Sequence, residues 1–387
     1  MTQRILTTHA GSLPRPTALV ELLAARSRGE HVDGEELALR INAATREVVA
    51  NQAAAGIDIA NDGEQARESF FTYVQHRMDG FGGGWQRGMM KDLFLYPSFV
   101  DIRRRTVAAQ GVSLGRVPQA VGSIVYSDAG RRAFEAEAAA FDRAVAAAPT
   151  PFAGTFMTAP SPGIIACAMQ DTHYGSLEGY TDAVADALAV EYRAIIERGY
   201  ILQVDAPDLA MERHTLFAER PLEEFIAYVD HTIAAINRAT AGIPRERIRL
   251  HVCWGNYEGP HVFDVPLEEL LPSLYRANAG ALLLSMANPR HEHEYRAFAA
   301  QPLPPGMNLI AGVIDTTTNY VEHPEVVADR LERVASVIGD PARITAGTDC
   351  GFDTAAGFGM VAEEVCWAKL AALAEGAQIA SRRLFGS

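Results

Sequence analysis

What most constrains this chain is a rhythm of short apolar runs separated by amphipathic stretches. The runs cover 5–12, 57–64, 151–159, 200–207, 248–256, 281–288, 308–315 and 344–351, with 118–126 a ninth candidate. Between them, Ala, Leu, Ile and Val recur at helical spacing over 35–53, 180–198, 222–239, 324–338 and 361–383. Strand, helix, strand, repeated in this way, predicts a parallel sheet covered by helices. An open doubly wound sheet and a closed (β/α)8 barrel both satisfy the pattern. The polar residues favour the barrel. Most runs end in or beside a residue able to do chemistry, Ser12, Glu64, Asp205, Asn256, Asp315 or Cys350, and barrel enzymes build their sites at the C-terminal ends of their strands. The expectation is an α/β chain in which residues 1–387 form a single TIM-type barrel domain, with 118–126 as the run outside it.

One stretch breaks the rhythm. Residues 65–115 are long, aromatic and rich in glycine, including Phe70, Phe71, Tyr73 and the run Gly80-Phe81-Gly82-Gly83-Gly84-Trp85. An insertion of this length after a barrel strand is expected to be a lid or an arm for a homo-oligomer, with a surface excursion that packs on the barrel as the plainer alternative. A nucleotide-binding reading of the glycines lacks its context, a clear strand before and a helix after.

Composition sets further bounds. The 387 residues carry a net charge of −14, and Arg103-Arg104-Arg105 is the one basic run. That balance repels phosphate backbones and argues against a nucleic-acid partner. The N-terminal residues lack the apolar core of a signal peptide. No run of about 18 apolar residues predicts a membrane span. Four cysteines, Cys167, Cys253, Cys350 and Cys366, are too few for a disulfide framework and fit a reducing cytoplasm, where thiolates are free for metal or catalysis.

The sharpest local signal is His251-Val252-Cys253 at the end of an apolar run. Residues i and i+2 of a strand face the same way, so both side chains would enter one space. Cys350, in Thr348-Asp349-Cys350-Gly351, ends the last run, and in a barrel the strand ends converge. Imidazole and thiolate are donors that zinc accepts. His251, Cys253 and Cys350 are therefore the candidate zinc ligands, against the plainer alternative of two small buried cysteines and a hydrogen-bonded core histidine. Cys366, on an apolar helix face, and Cys167, in Ile164-Ile165-Ala166-Cys167-Ala168, read as structural.

At this point the residues resemble a known family. Thr7-Thr8-His9-Ala10-Gly11-Ser12-Leu13-Pro14-Arg15, Gly63-Glu64, Gln203-Val204-Asp205-Ala206-Pro207, His251-Val252-Cys253-Trp254-Gly255-Asn256, the 287–294 segment Ala-Asn-Pro-Arg-His-Glu-His-Glu and Gly347-Thr348-Asp349-Cys350-Gly351 together look like the cobalamin-independent methionine synthases. The likeness spans nearly the whole chain and is closest to the short, one-barrel members, among them epoxyalkane:coenzyme M transferases. It implies a barrel of the methionine synthase and uroporphyrinogen decarboxylase kind. It also implies zinc that binds a substrate sulfur as thiolate for attack on carbon. By motif, His251, Cys253 and Cys350 are the ligands, and Ser12, Glu64 and Asp205 match positions that hold an amino-acid thiol, where two carboxylates suit an ammonium group. Glu64, Asp205 and Asp315 are the candidate catalytic acids, and His9 joins the substrate-binding set.

Two departures bear on the reaction. The family's fourth ligand, a Glu, falls near Ser285 in Leu282-Leu283-Leu284-Ser285-Met286-Ala287, leaving an open position that His291 or His293 could fill. The family's proton-donating His after a strand-end Asp is absent, since Asp315 continues Thr316-Thr317-Thr318-Asn319, with His323 or His9 as substitutes. The expected activity is making or breaking a C–S bond in a small organosulfur compound, first by alkyl transfer to a thiol. The alternatives are a hydrolytic desulfhydrase that uses zinc-activated water on a thiocarbonyl carbon and releases sulfide, a metal-free decarboxylase, and a non-catalytic zinc binder.

Overall fold

The computed structural model describes residues 4–88, 90–106, 111–112, 114 and 116–386, leaving aside the side chains of 103–106. The Arg103-Arg104-Arg105 side chains and the first three residues thus lie outside the described set. Ten strands follow in chain order: β1 (Leu6–Thr7), β2 (Ile59–Ala60), β3 (Met78–Gln86), β4 (Arg116–Tyr126), β5 (Gly154–Pro160), β6 (Ile201–Asp205), β7 (Ile248–Val252), β8 (Ala281–Ser285), β9 (Asn308–Ile314) and β10 (Ile344–Thr348). Eight of them form one parallel sheet in the order β1-β10-β9-β8-β7-β6-β5-β2. The seam between β1 and β2 is closed by Asp58 N donating to Thr7 O at 3.1 Å and Thr8 Oγ1 donating to Ile59 O at 3.0 Å. The result is the (β/α)8 barrel that the rhythm predicts. Seven of the eight predicted barrel runs contain a barrel strand, and 151–159 covers all of β5 but its last residue. The ninth run forms most of β4, which lies outside the ring as expected.

Inside the barrel, inward-facing residues stack in layers. Ala10, Leu283 and Ile310 make an apolar patch. Beside it, Arg249 Nε donates to Gln203 Oε1 at 2.6 Å, and its other nitrogens donate to Thr8 Oγ1 and His9 O. Its guanidinium carbon lies 3.4 Å from the Phe156 ring centroid. One step further along the same strands come Asp205 and His251, which the register places opposite each other. Period-two alternation thus lifts the chemistry to the C-terminal rim.

Sequence spacing and observed helices agree most closely where end signals are strong. Pro324–Ile338 starts at a proline in the first turn, is capped by His323, and stops at Gly339 with φ of 80°. Leu222–Ala239 buries Phe225, Val229, Ile233 and Ile236 on one face. The helix Asp128–Ala146, capped by Ser127, was not anticipated. Its apolar residues fall at helical spacing, and Phe134, Ala138 and Phe141 are buried on one face. No described helix is long and apolar enough to cross a membrane.

The long excursion also differs from expectation in one respect. Its glycine run is itself a strand, β3, paired antiparallel with β4, so the excursion extends past residue 115 to Tyr126. Gly80 has φ of +97°, and a Cβ there would sit 2.5 Å from Ser123 O, so only glycine lets the two strands close.

A buried ionic cluster fixes the root of this hairpin. Arg67 Nε donates to Glu137 Oε1 at 2.8 Å, Arg77 pairs with both Glu137 and Glu191, and Tyr73 and Tyr126 each donate to Glu191 at 2.6 Å. Both guanidinium groups also lie over the Tyr73 ring. The excursion and the helices Asp128–Ala146 and Leu177–Glu197 are thereby joined.

Candidate metal centre

His251 is on β7, Cys253 just beyond it, and Cys350 just beyond β10. The register shifts between Gly347 and Thr348. Such an irregularity re-aims the residues that follow it, and the chain turns Cys350 inward. The two sulfurs are 3.9 Å apart, and the three candidate donor atoms lie within 4.8 Å of one another. All three residues are buried.

The surroundings fix these side chains. His251 Nδ1 lies 3.0 Å from Asp205 Oδ1, while Nε2 is buried without a partner. Asp205 Oδ1 also accepts from Gln203 Nε2 at 2.6 Å. Asn256 Nδ2 donates to Gly351 O at 2.8 Å and its Oδ1 accepts from Thr316, which ties the Cys253 loop to the Cys350 loop. The Asp349 carboxylate accepts from the backbone N–H groups of Met286, Ala287 and Asn288 and from Asn288 Nδ2. Ser285 Oγ donates to Asp349 O at 2.9 Å. Where the resemblance places a fourth ligand, this chain has a hydroxyl already committed to the Cys350 turn.

Burial opposes charge on His251, but Asp205 and Cys253 hold its ring up to about 10. The Cys253 thiol is drawn well below its ordinary value by the hydrogen bond from Cys350 and by His251. Cys350 is pushed up in turn by that partner and by burial. A low-pKa thiol beside a raised imidazole is the proton arrangement that a bound cation replaces.

Above this floor opens a cavity of about 660 Å³. Ser12, Glu64 and Asp205 line it near the sulfurs, and Phe70, Phe71, Met90, Leu93, Phe99 and Leu114 of the excursion form much of its apolar wall. Glu64 Oε1 accepts from Thr158 Oγ1 at 2.9 Å, and Oε2 is buried and unpartnered. Burial and the Asp205 charge raise its carboxyl to about 7. Its backbone is in the left-handed region at φ of 57°, after Gly63 at 66°, a conformation that costs an L-residue about 1–2 kcal/mol and clusters at functional positions. Gly11, at φ of +128°, makes room for it, since a Cβ there would lie 2.7 Å from Glu64 Oε1.

The other predicted residues are placed elsewhere. His9 lies beneath the cavity with Nε2 on Gln52 at 2.8 Å and Nδ1 accepting from Gly11 N. Burial lowers its pKa to about 4, so it is a neutral packing residue with no ring nitrogen left for a substrate. Asp315 caps its own turn through Thr317 N and Oγ1, and does not line the cavity. His323 is a helix cap, and His291 belongs to a separate cluster. Cys167 donates to Tyr228 and Cys366 is buried in the last helix, as their structural reading requires. Sequence reasoning missed the support of His251 by Asp205. Only the β6–β7 register reveals it.

Comparison with known proteins agrees with this architecture. Residues 5–93 match the model of the cobalamin-independent synthase catalytic domain. A methionine synthase of Saccharolobus solfataricus is 23% identical over 98% of this chain and 95% of its own length. A 2-hydroxypropyl-CoM lyase of Xanthobacter autotrophicus is 26% identical over 56% of this chain and 59% of its own. Among solved structures, a B12-independent methionine synthase from a Shewanella species, in complex with selenomethionine, aligns over 99% of this chain and 100% of that one, with a TM-score of 0.75 at 23% identity. The family-model match over residues 5–93, the relatives spanning nearly the whole chain and the shared barrel agree with the resemblance of this chain to the cobalamin-independent methionine synthase family.

Proposed function

We propose that the chain is a zinc-dependent enzyme that makes or breaks a carbon–sulfur bond in a small organosulfur compound. The observation that carries this reading is the convergence of two sulfurs and an unpartnered imidazole nitrogen at the floor of a largely apolar cavity. These residues fit the ion, since two thiolates and an imidazole leave the open fourth position that catalytic zinc sites keep. Zinc held there would lower the pKa of a substrate thiol, ordinarily about 8.5, so that it reacts as thiolate at neutral pH.

The chain's own groups do the rest. The apolar wall from the excursion excludes water and receives the carbon part of the substrate, so the excursion serves as a lid. Glu64, raised to about 7 and unpartnered at Oε2, takes either form near neutral pH, so that protonated it can pass a proton to a leaving group and ionised it can share an ammonium with Asp205. Asp205 holds the His251 ring so that Nε2 faces the sulfurs. Asp205→Asn should therefore weaken zinc binding by roughly 10–100-fold, measured by competition with a chromogenic chelator. An unchanged affinity would separate Asp205 from the metal.

Alkyl transfer to a thiol is the first variant. Because Ser285 supplies no carboxylate, a second remains, in which water attacks a thiocarbonyl carbon and sulfide leaves. The test is turnover of thioethers, alkyl donors and thiocarbonyl compounds, each with and without an added thiol. The expected result is zinc-dependent turnover that requires the thiol. Sulfide release without added thiol selects hydrolysis, and turnover by the metal-stripped protein removes the zinc reading.

A further inference from the structure

The loops after β6, β7 and β8 meet at a second group of donors, separate from the two cysteines. His261 Nδ1 lies 2.9 Å from Asp264 Oδ2, His291 Nε2 lies 2.8 Å from the same oxygen, and His214 Nδ1 lies 2.9 Å from Oδ1. Three imidazoles thus converge on one carboxylate, and each of the three loops contributes at least one histidine. His214 is fully buried, both its ring nitrogens lack a hydrogen-bond partner, and so does Asp264 Oδ1. The 2.9 Å contact between Nδ1 and Oδ1 thus lacks the alignment of a good hydrogen bond.

The ring faces are held as well. Trp254 stacks on His291 with centroids 4.0 Å apart, and Tyr257 stacks on His261 at 4.0 Å. Tyr257 OH and His261 N both donate to Asp92 Oδ2. His261 adopts φ of 52°, in the left-handed region, where an L-residue is held only if its surroundings over-determine it.

The geometry points to a second metal site, in which His261, His291 and Asp264 hold a divalent transition-metal ion of the zinc class through two imidazoles and one carboxylate, with the buried His214 ring beside them against Asp264 Oδ1. All three donors are hard or borderline, with no sulfur, which suits zinc and its neighbours rather than the copper(I) that thiolates select. The ion would fasten the loops after β7 and β8, and the loop after β6 joins them through His214 on Asp264. Trp254, stacked on one ligand, is next to Cys253, so the site would also set the position of the loop that carries a ligand of the first centre. These are positioning residues for that centre.

The test is metal content after loading with Zn2+ and desalting, on the full chain. Wild type should hold two equivalents. Cys253→Ser/Cys350→Ser should keep one, and X-ray absorption of that ion should show nitrogen and oxygen neighbours with no sulfur. His261→Gln/His291→Gln should lose that equivalent and keep a sulfur-ligated one. A double cysteine variant that is folded by circular dichroism but metal-free would overturn the second site and leave the first intact. A wild type holding one equivalent, kept by the cysteine variant and lost by the histidine variant, would support the second site while removing the first.

Discussion

Cys350→Ser should lose the sulfur-ligated zinc and all measurable turnover together, while Cys167→Ser loses neither. The expectation rests on what each thiol touches. Cys350 Sγ is 3.9 Å from Cys253 Sγ at the cavity floor, whereas Cys167 Sγ donates to Tyr228 OH inside a buried helix. Serine keeps the size of cysteine but offers a hydroxyl that zinc does not deprotonate as it does a thiol. The loss in affinity should exceed the roughly 100-fold that follows removal of a hydrogen bond supporting a ligand. Folding should survive, because the Cys350 turn is held by the Asp349 carboxylate and Ser285 rather than by the sulfur. The check is zinc content by mass spectrometry beside turnover of the same preparation, with the cobalt-substituted protein read for its sulfur-to-metal absorption. Retained turnover with that absorption gone would remove the metal assignment.

How far the site was legible in the sequence depended on whether a residue's partner lay on its own strand. His251 and Cys253 share a strand face, so period two is enough to pair them, and Cys350 follows from the convergence of strand ends. Glu64 was visible as a strand-end acid. Its left-handed backbone, and the opening that Gly11 leaves for it, come from contacts more than fifty residues apart in sequence. Asp205 was visible as a carboxylate but not as the partner of His251, because that depends on the β6–β7 register. His9 and Asp315 show the reverse failure. Both sit at strand ends, as site residues do, yet Gln52, Gly11 and the Thr317 turn saturate them locally. The fold was easier to read because alternating apolar runs are a property of each segment alone. The glycine-rich β3 escaped because it has no periodic signal of its own, whereas the helix Asp128–Ala146 does carry apolar residues at helical spacing and was legible but missed.

Glu137→Gln should lower the stability of the folded chain by about 3–5 kcal/mol while touching neither the cavity nor a metal ligand. Glu137 is the carboxylate shared by Arg67 and Arg77, and all three are buried. Burial alone would raise the Glu137 carboxyl, but the two guanidinium groups hold it down at about 2. A neutral amide returns no charge, so Arg77 is left with Glu191, which already accepts from Tyr73 and Tyr126, and Arg67 with the buried Asp62 carboxyl nearby. An exposed pair such as Arg40–Glu36 gives the contrast, since breaking an i,i+4 surface pair should cost about 0.3–0.5 kcal/mol. The pH dependence has a definite sign. The native group titrates below the unfolded one, so its contribution is complete above the ordinary carboxylate pKa of 4.5 and fades as pH falls toward 2. The gap between wild type and variant, read from urea unfolding, should therefore be constant near neutrality and narrow below about pH 4.5. The damage should also reach the site. Arg67 donates to Thr158 O and Oγ1, and Thr158 Oγ1 donates to Glu64 Oε1, so an Arg67 released from Glu137 changes the hydrogen bond that orients Glu64. Turnover should fall at temperatures where the variant is still folded, with its pH profile displaced from that of wild type. A cost below about 1 kcal/mol with an unmoved profile would mean that water reaches the cluster, and that the excursion is held to the barrel by its apolar contacts alone.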